Sequence, residues 1–207
     1  MAKLSAGILS QPRGKVAGVV GASWKGIGYI RAKVVPANPN TAAQQAQRSK
    51  MSVVVKAAQY ILATILIPYV TPFQKKMSGY NWFCKTNIQG VVGAALGADI
   101  KITAGTEVAP VLTAVAPGAN PTISGTFTPV AVTASGETDY VGIAIYHKAT
   151  NSFTFWPATV DAVAKTFTVT TTGESVAADD TVLSFYAVNK TGLAAQKVSN
   201  SSGVTVA

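Results

Sequence analysis

"SVVVKAAQYILATILIPYV" spans residues 52–70. Whether this run crosses a membrane or fills a core decides the fold. Lys56, Gln59 and Pro68 interrupt it, and its unbroken apolar stretches fall short of the roughly 18 residues a membrane span needs. Met51, Val54, Val55, Ala58, Leu62 and Ile65 recur at the i, i+3, i+4, i+7 spacing of one helical face. Val53, Ile61 and Leu66 widen that face, as expected of a helix buried on most sides. A core helix is therefore expected and membrane association is not.

Working outward, "NPNTAAQQAQRSK" (38–50) supplies the start of this helix. Thr41 stands three residues before Gln44, the capping-box spacing that satisfies N–H groups left unpaired in a first helical turn. Asn40 competes as the cap. The spacing predicts a helix from Thr41 to about Leu66, ended by Pro68. Thr71-Pro72 reads as a second start, with proline at the first helical position. The stretch from Phe73 to Gly90 then forms one helix kinked at Gly79, or two short ones.

Before the helix, "GKVAGVVGASWKGIGYIRAKVV" (14–35) is β-branched and aromatic with frequent glycine. "KVAGVV" and "YIRAKVV" read as two strands joined through "SWKGIG". Tyr29, Arg31 and Lys33 alternate with Ile30, Ala32 and Val34, which places the basic side chains on one face. The glycines weaken an isolated hairpin, so completion by other parts of the fold or by another subunit is expected.

After about residue 106 the pattern changes. Short β-rich runs such as "TISGTFTPVAVT", "DYVGIAIYHKAT", "SFTFWPATV" and "TVLSFYAVNKTG" recur at intervals of about ten residues between turn formers. That is the pattern of a sandwich of about seven strands. In residues 140–146 the Val141, Ile143, Ile145 side should face the core. Phe153, Phe155, Trp156 and Phe167 supply aromatic packing. Cys84 is the single cysteine, so an immunoglobulin-type intrachain disulfide cannot form. The fold class expected is α+β: an N-terminal β-hairpin plus helices, followed by an all-β immunoglobulin/fibronectin-like sandwich.

Charge divides the chain at the same place. Residues 1–103 hold thirteen Lys and Arg against one acid, Asp99, a net +12, whereas residues 104–207 hold four Lys against seven acids, a net −3. Two domains are expected, a basic hairpin-plus-helical one over 1–103 and a β-sandwich over 104–207. The low charged fraction, 12% against 48% hydrophobic, argues against disorder and for surfaces covered by partners. The asymmetry points to a polyanion or to head-to-tail docking between copies. The opening residues lack an apolar stretch long enough for a secretory signal.

Catalytic chemistry is nearly empty. His147 is the only histidine and reads as a surface or turn residue at a strand end. Cys84 reads as a small buried thiol, and Asp179-Asp180 as a turn. "GVVGASWKGIG" does not satisfy the phosphate-loop pattern, since Ile27 follows Gly26 where lysine is required. No enzyme, no cofactor and no metal site are expected. The candidate contact residues, for nucleic acid or a neighbouring subunit, are Lys15, Trp24, Lys25, Tyr29, Arg31, Lys33, Gln45, Arg48 and Lys50. Cations neutralise phosphates and aromatics stack on bases.

Five motifs stand in order: Gly14–Val16 (Gly-Lys-Val), Trp24–Gly26 (Trp-Lys-Gly), Tyr29–Arg31, Asn38–Gln45 (Asn-Pro-x-Thr-x-x-Gln-Gln) and Met77–Asn81 (Met-Ser-Gly-Tyr-Asn). Over residues 12–90 the chain resembles a family of unknown function found in Bacteroidota and in their phages and prophages. The block between Ala43 and Ala63 is more apolar here than in that pattern. The resemblance implies a non-enzymatic setting and a phage virion protein, in the virion and in the host cytoplasm during assembly. Expected partners are copies of itself, other virion proteins, and nucleic acid through the N-terminal half. A capsid, decoration or tail component is the leading expectation. A soluble DNA- or RNA-binding accessory protein and a surface-exposed adhesin-like module are the alternatives.

Overall fold

The computed structural model describes residues 2–3, 14–115, 117–129, 137–190 and 197–206. The expected strand residues 130–133, 191–192 and 207, and most of the segment before Gly14, lie outside them. The protein is α+β, with helices in one stretch and antiparallel sheets elsewhere. It divides into two compact units, Met1–Thr41 and Ala42–Ala207.

The first unit is a four-stranded antiparallel sheet. Its strands are β1 (Ala2–Lys3), β2 (Gly14–Val16), β3 (Val19–Trp24) and β4 (Ile27–Ala32), in the order β1-β4-β3-β2. The expected strand 15–20 is two strands folded back at Ala17-Gly18, and "SWKGIG" is itself the β3–β4 hairpin. Among the residues of this unit whose burial is described, Gly28 is the one that is buried, and each large apolar side chain keeps some exposure.

The second unit opens with α1 (Ala42–Ile61), which begins one residue after Thr41 as the capping spacing predicts. It continues as a π-helical segment, Leu62–Val70, with Pro68 inside it. The helix expected to stop at Pro68 therefore runs past it. A proline in an α-helix clashes with the carbonyl four residues back and forfeits a hydrogen bond; the wider i→i+5 turn relieves that geometry. Thr71 closes the segment, its Oγ1 donating to Leu66 O at 2.9 Å and accepting from Gly79 N at 3.1 Å. A 3-10 turn, Thr71–Phe73, takes up Pro72. The next helix, α2 (Gly79–Asn87), starts separately, with the Ser78 side chain accepting from Asn81 N. The stretch 73–90 is therefore neither one kinked helix nor two short ones: residues 74–78 are not helical, and after them comes α2, followed by the 3-10 turn Ile88–Gly90. Gly79 is required here, because a Cβ would sit 2.5 Å from Leu66 O.

Strands follow in chain order: β5 (Val91–Val92), β6 (Ala95–Leu96), β7 (Val111–Ala114), β8 (Gly118–Ala119), β9 (Thr122–Thr126), β10 (Glu137–His147), β11 (Ser152–Pro157), β12 (Thr159–Asp161), β13 (Thr166–Thr170), β14 (Ser175–Val176), β15 (Thr181–Lys190), β16 (Lys197–Val198) and β17 (Ser202–Thr205). One sheet runs β11-β10-β15-β16 with β17 also on β15, and another runs β12-β13-β9-β7. The long pair β10–β15 aligns from Glu137↔Lys190 to Tyr146↔Thr181.

Both faces of that pair are buried. Val141, Ile143 and Ile145 of β10 join Val182, Tyr186 and Val188 of β15, with Ile123, Phe167 and Val169 from the other sheet, in one core. Tyr146, Ala144, Leu183 and Phe185 join Val54, Ala58, Ile61 and Phe83 of the helices in the other. The Ile side faces a core as expected, but so does the opposite side. The expected aromatics are split accordingly: Trp156 and Phe167 serve the sheet–sheet core, Phe153 and Phe155 the helix–sheet core. The charge break at 103/104 thus falls inside a unit whose helices and strands share a core, and the division between units falls at 41/42. The continuous helix Ala42–Phe73 is long and apolar enough to cross a membrane by composition. Its buried stripe, Val54, Ala57, Ala58, Ile61, Ile65 and Leu66, packs into the helix–sheet core.

Candidate interaction surface

Strand pairing places the predicted contact residues. Lys15 of β2 stands opposite Val20 of β3, and Val20 stands opposite Arg31 of β4. Residues directly opposite share a sheet face, and residues two apart on one strand share it too. One face therefore carries Lys15, Val20, Ala22, Trp24, Ile27, Tyr29 and Arg31. Lys33 continues the alternation beyond β4, its N–H donating to Gly18 O at 2.7 Å. The opposite face carries Val19, Gly21, Ser23, Gly28, Ile30 and Ala32, none of them charged.

The hairpin tip is a two-residue turn. Trp24 pairs with Ile27, and Lys25 and Gly26 between them have φ of +49° and +80°. Positive φ at both central positions is the type I′ pattern that matches strand twist, and glycine takes the second without strain. The Lys25 ammonium lies 5.0 Å from the centroid of the Trp24 ring, within cation–π range. The indole nonetheless remains 66% exposed. Lys15, Arg31 and Lys33 are exposed, and Tyr29 is half-buried. Among the described residues no acid lies within ion-pair distance of these cations.

The remaining candidates lie in the second unit. Gln45 and Arg48 sit three apart on α1 and share a face; both are exposed, and Ser49 Oγ donates to Gln45 O at 3.0 Å. Lys50 is half-buried and falls on a different side of the helix. The structure thus brings Lys15, Trp24, Tyr29, Arg31 and Lys33 onto one surface with Lys25 at its tip, and places Gln45, Arg48 and Lys50 on a separate element.

Sequence reasoning missed one polar cluster. His147, read as a surface or turn residue, is largely enclosed: Nδ1 lies 2.9 Å from Asp180 Oδ2, and Nε2 lies 3.2 Å from Thr154 Oγ1 and 3.3 Å from Glu174 Oε1. Asp180, 3% exposed, also accepts from Lys148 N and Ala177 N at 3.0 Å. Asp179 does occupy the expected turn, with φ +75°. The signal for this cluster is the β10–β15 register, which sets residue 147 beside residue 180; no local motif encodes it. The carboxylate of Glu174 and the hydroxyl of Thr154 both face Nε2, so that nitrogen is shared with an acid and is not poised to activate the hydroxyl. The cluster ties the 174–180 segment to the end of β10.

Cys84 is buried. Burial pushes its thiol pKa up, partly offset by a hydrogen bond with Tyr80, the opposite of nucleophile activation. Among the described residues no group of His, Cys, Asp and Glu has metal-binding geometry. An open groove of about 520 Å³ is lined by Lys56, Gln59, Tyr60, Thr150 and Asn151, and none of these pairs a nucleophile with a base.

What the geometry defines is an α+β protein of two units, one a small basic and aromatic sheet and the other built on a doubly buried sheet. A family of unknown function, DUF6266, matches residues 11–185, and the chain belongs to it. No curated protein and no solved structure was found to match.

Proposed function

We propose that the protein is a non-enzymatic structural subunit of a bacteriophage or virus-like particle, in the capsid, as decoration or in the tail, held by repeated contacts with copies of itself and other virion proteins. One observation carries this reading: among the residues of the Met1–Thr41 unit whose burial is described, no large apolar side chain is buried, and Val19, Val34 and Val35 are 43–79% exposed. A small sheet needs an apolar face covered to be stable, and contiguous exposed apolar surface marks an interaction site. The uncharged face with Val19 and Ile30, together with Val34 and Val35, is suited to a neighbouring subunit. The particle setting follows from the resemblance of residues 12–90 to a family whose members occur in Bacteroidota and their phages. We read the two sheets of residues 104–207 as an immunoglobulin/fibronectin-like sandwich, one of whose outer faces the helices cover.

Light scattering and electron microscopy of the purified full chain test this. Symmetric assemblies are expected, and Val34→Glu with Val35→Glu should reduce them to smaller species while the far-ultraviolet circular dichroism is kept. A monodisperse monomer at high concentration would sink the reading.

A further inference from the structure

We propose that the face bearing Lys15, Trp24, Tyr29, Arg31 and Lys33 binds single-stranded nucleic acid. The occupant is fixed by charge first. Residues 1–98 contain no Asp or Glu, so nothing in this unit's own sequence can neutralise these cations, and the ligand is a polyanion. Its class is fixed by what lies between the cations. Arg31 and Lys33 stand two residues apart along β4 and its continuation, about 7 Å along the strand, close to the step between phosphates of an extended strand. Lys15 stands across the sheet, two strands from Arg31, about 10 Å away. Between and beyond them the face offers Tyr29 and the Trp24 indole, aromatic planes on which unstacked bases can lie. Lys25, held over the indole, adds a cation where a base stacked on Trp24 would bring its phosphate. A duplex hides its base planes and gains nothing from Trp24. An acidic protein segment would use the cations but not the aromatic rings.

This surface is the opposite face of the sheet from the one assigned to subunit contact, so either reading can fail while the other stands. The experiment is fluorescence anisotropy of the full-length protein with a labelled 20-nucleotide single-stranded DNA of mixed sequence. The same sequence as a duplex, and polyglutamate of matched charge, serve as competitors. Binding at low ionic strength should weaken about fiftyfold between 50 and 200 mM salt, as four neutralised phosphates require. Trp24→Ala should weaken single-strand binding about tenfold and leave competition by polyglutamate unchanged. Lys15→Gln, and separately Arg31→Gln with Lys33→Gln, should lower affinity and flatten the salt dependence. The unchanged circular dichroism of each variant and its unchanged assembly state confirm that the sheet persists. Absence of binding at low salt overturns the proposal. So does a preference for duplex, equal competition by polyglutamate, or indifference to Trp24→Ala.

Discussion

The two sheets that matter most use alternation in opposite ways. In β10 and β15 both faces meet apolar neighbours, so every residue from Val141 to Tyr146 and from Thr181 to Val188 is buried. In β2, β3 and β4 neither face does. One carries cations and aromatics, the other uncharged residues that include Val19 and Ile30, and only Gly28 is buried among the residues whose burial is described. The first sheet spends its side chains on holding the fold. The second leaves them available. A substitution should therefore register as lost stability in one region and as lost association in the other.

The largest expected break of that contrast is at Phe185, fully buried beneath Tyr69, Tyr140 and Phe155. Phe185→Ala should cost about 3–5 kcal/mol, read as a lower urea midpoint, and a change near zero would show that the helix–sheet core is not cooperative with the rest. Next is Asp180→Ala. It strands the Lys148 and Ala177 N–H groups and should cost about 1–3 kcal/mol, measured the same way. Retention of full stability would mean the cluster is ornamental to the fold.

A smaller effect follows pH. Burial, and then the adjacent Tyr69, pushes the Tyr140 hydroxyl well above its ordinary value. In alkaline solution the unfolded chain loses this proton while the folded chain keeps it, so the unfolded state binds fewer protons and stability falls as pH rises. The contribution is intact below about pH 10, the unfolded value, and is lost as pH climbs toward the folded one. Urea unfolding at pH 8 to 11 should show the decline, and Tyr140→Phe should make it shallower; an unchanged slope would remove Tyr140 from the account. The smallest effect is at Trp24. Trp24→Ala should shift unfolding by no more than about 0.5 kcal/mol, as surface changes do, although it removes the large exposed indole of the N-terminal sheet. A loss of several kcal/mol would abolish the contrast between the regions.

Local features of the fold were legible because local rules decide them. Thr41 and Gln44 mark the start of α1, the alternation of Tyr29, Arg31 and Lys33 gives their common face, and the spacing of turn residues after Gly105 announces strands. Features set by distant partners were not. The Tyr140-Gly142-Ala144-Tyr146 side of β10 reads as an outward face, and nothing in those residues says that α1 and α2 cover it. The break in charge at 103/104 reports surface composition, whereas the units divide where shared core contacts stop. His147 meets Asp180 only through the register of two strands 33 positions apart in sequence. Of the candidate surface, the residue types and the alternation were visible. That Lys15 lies in the same cross-strand row as Arg31 required knowing that "KVAGVV" folds back on itself at Ala17-Gly18.

The π-helical segment has a consequence for how residues are counted around the helix. Continuing the α-period of 3.6 from Ile61 reaches Ile65 and then arrives between Pro68 and Tyr69. The wider turn delays the third arrival, so that Tyr69 and Val70 point inward and Pro68 stays half-exposed. The segment acts as a phase delay: it adds chain without adding rotation. The Tyr69 ring thereby arrives parallel to Tyr140, 5.6 Å away and inclined by 8°. Shortening the segment by one residue would advance that phase and swing the stacked ring off its partner, with every residue type in the stripe still apolar.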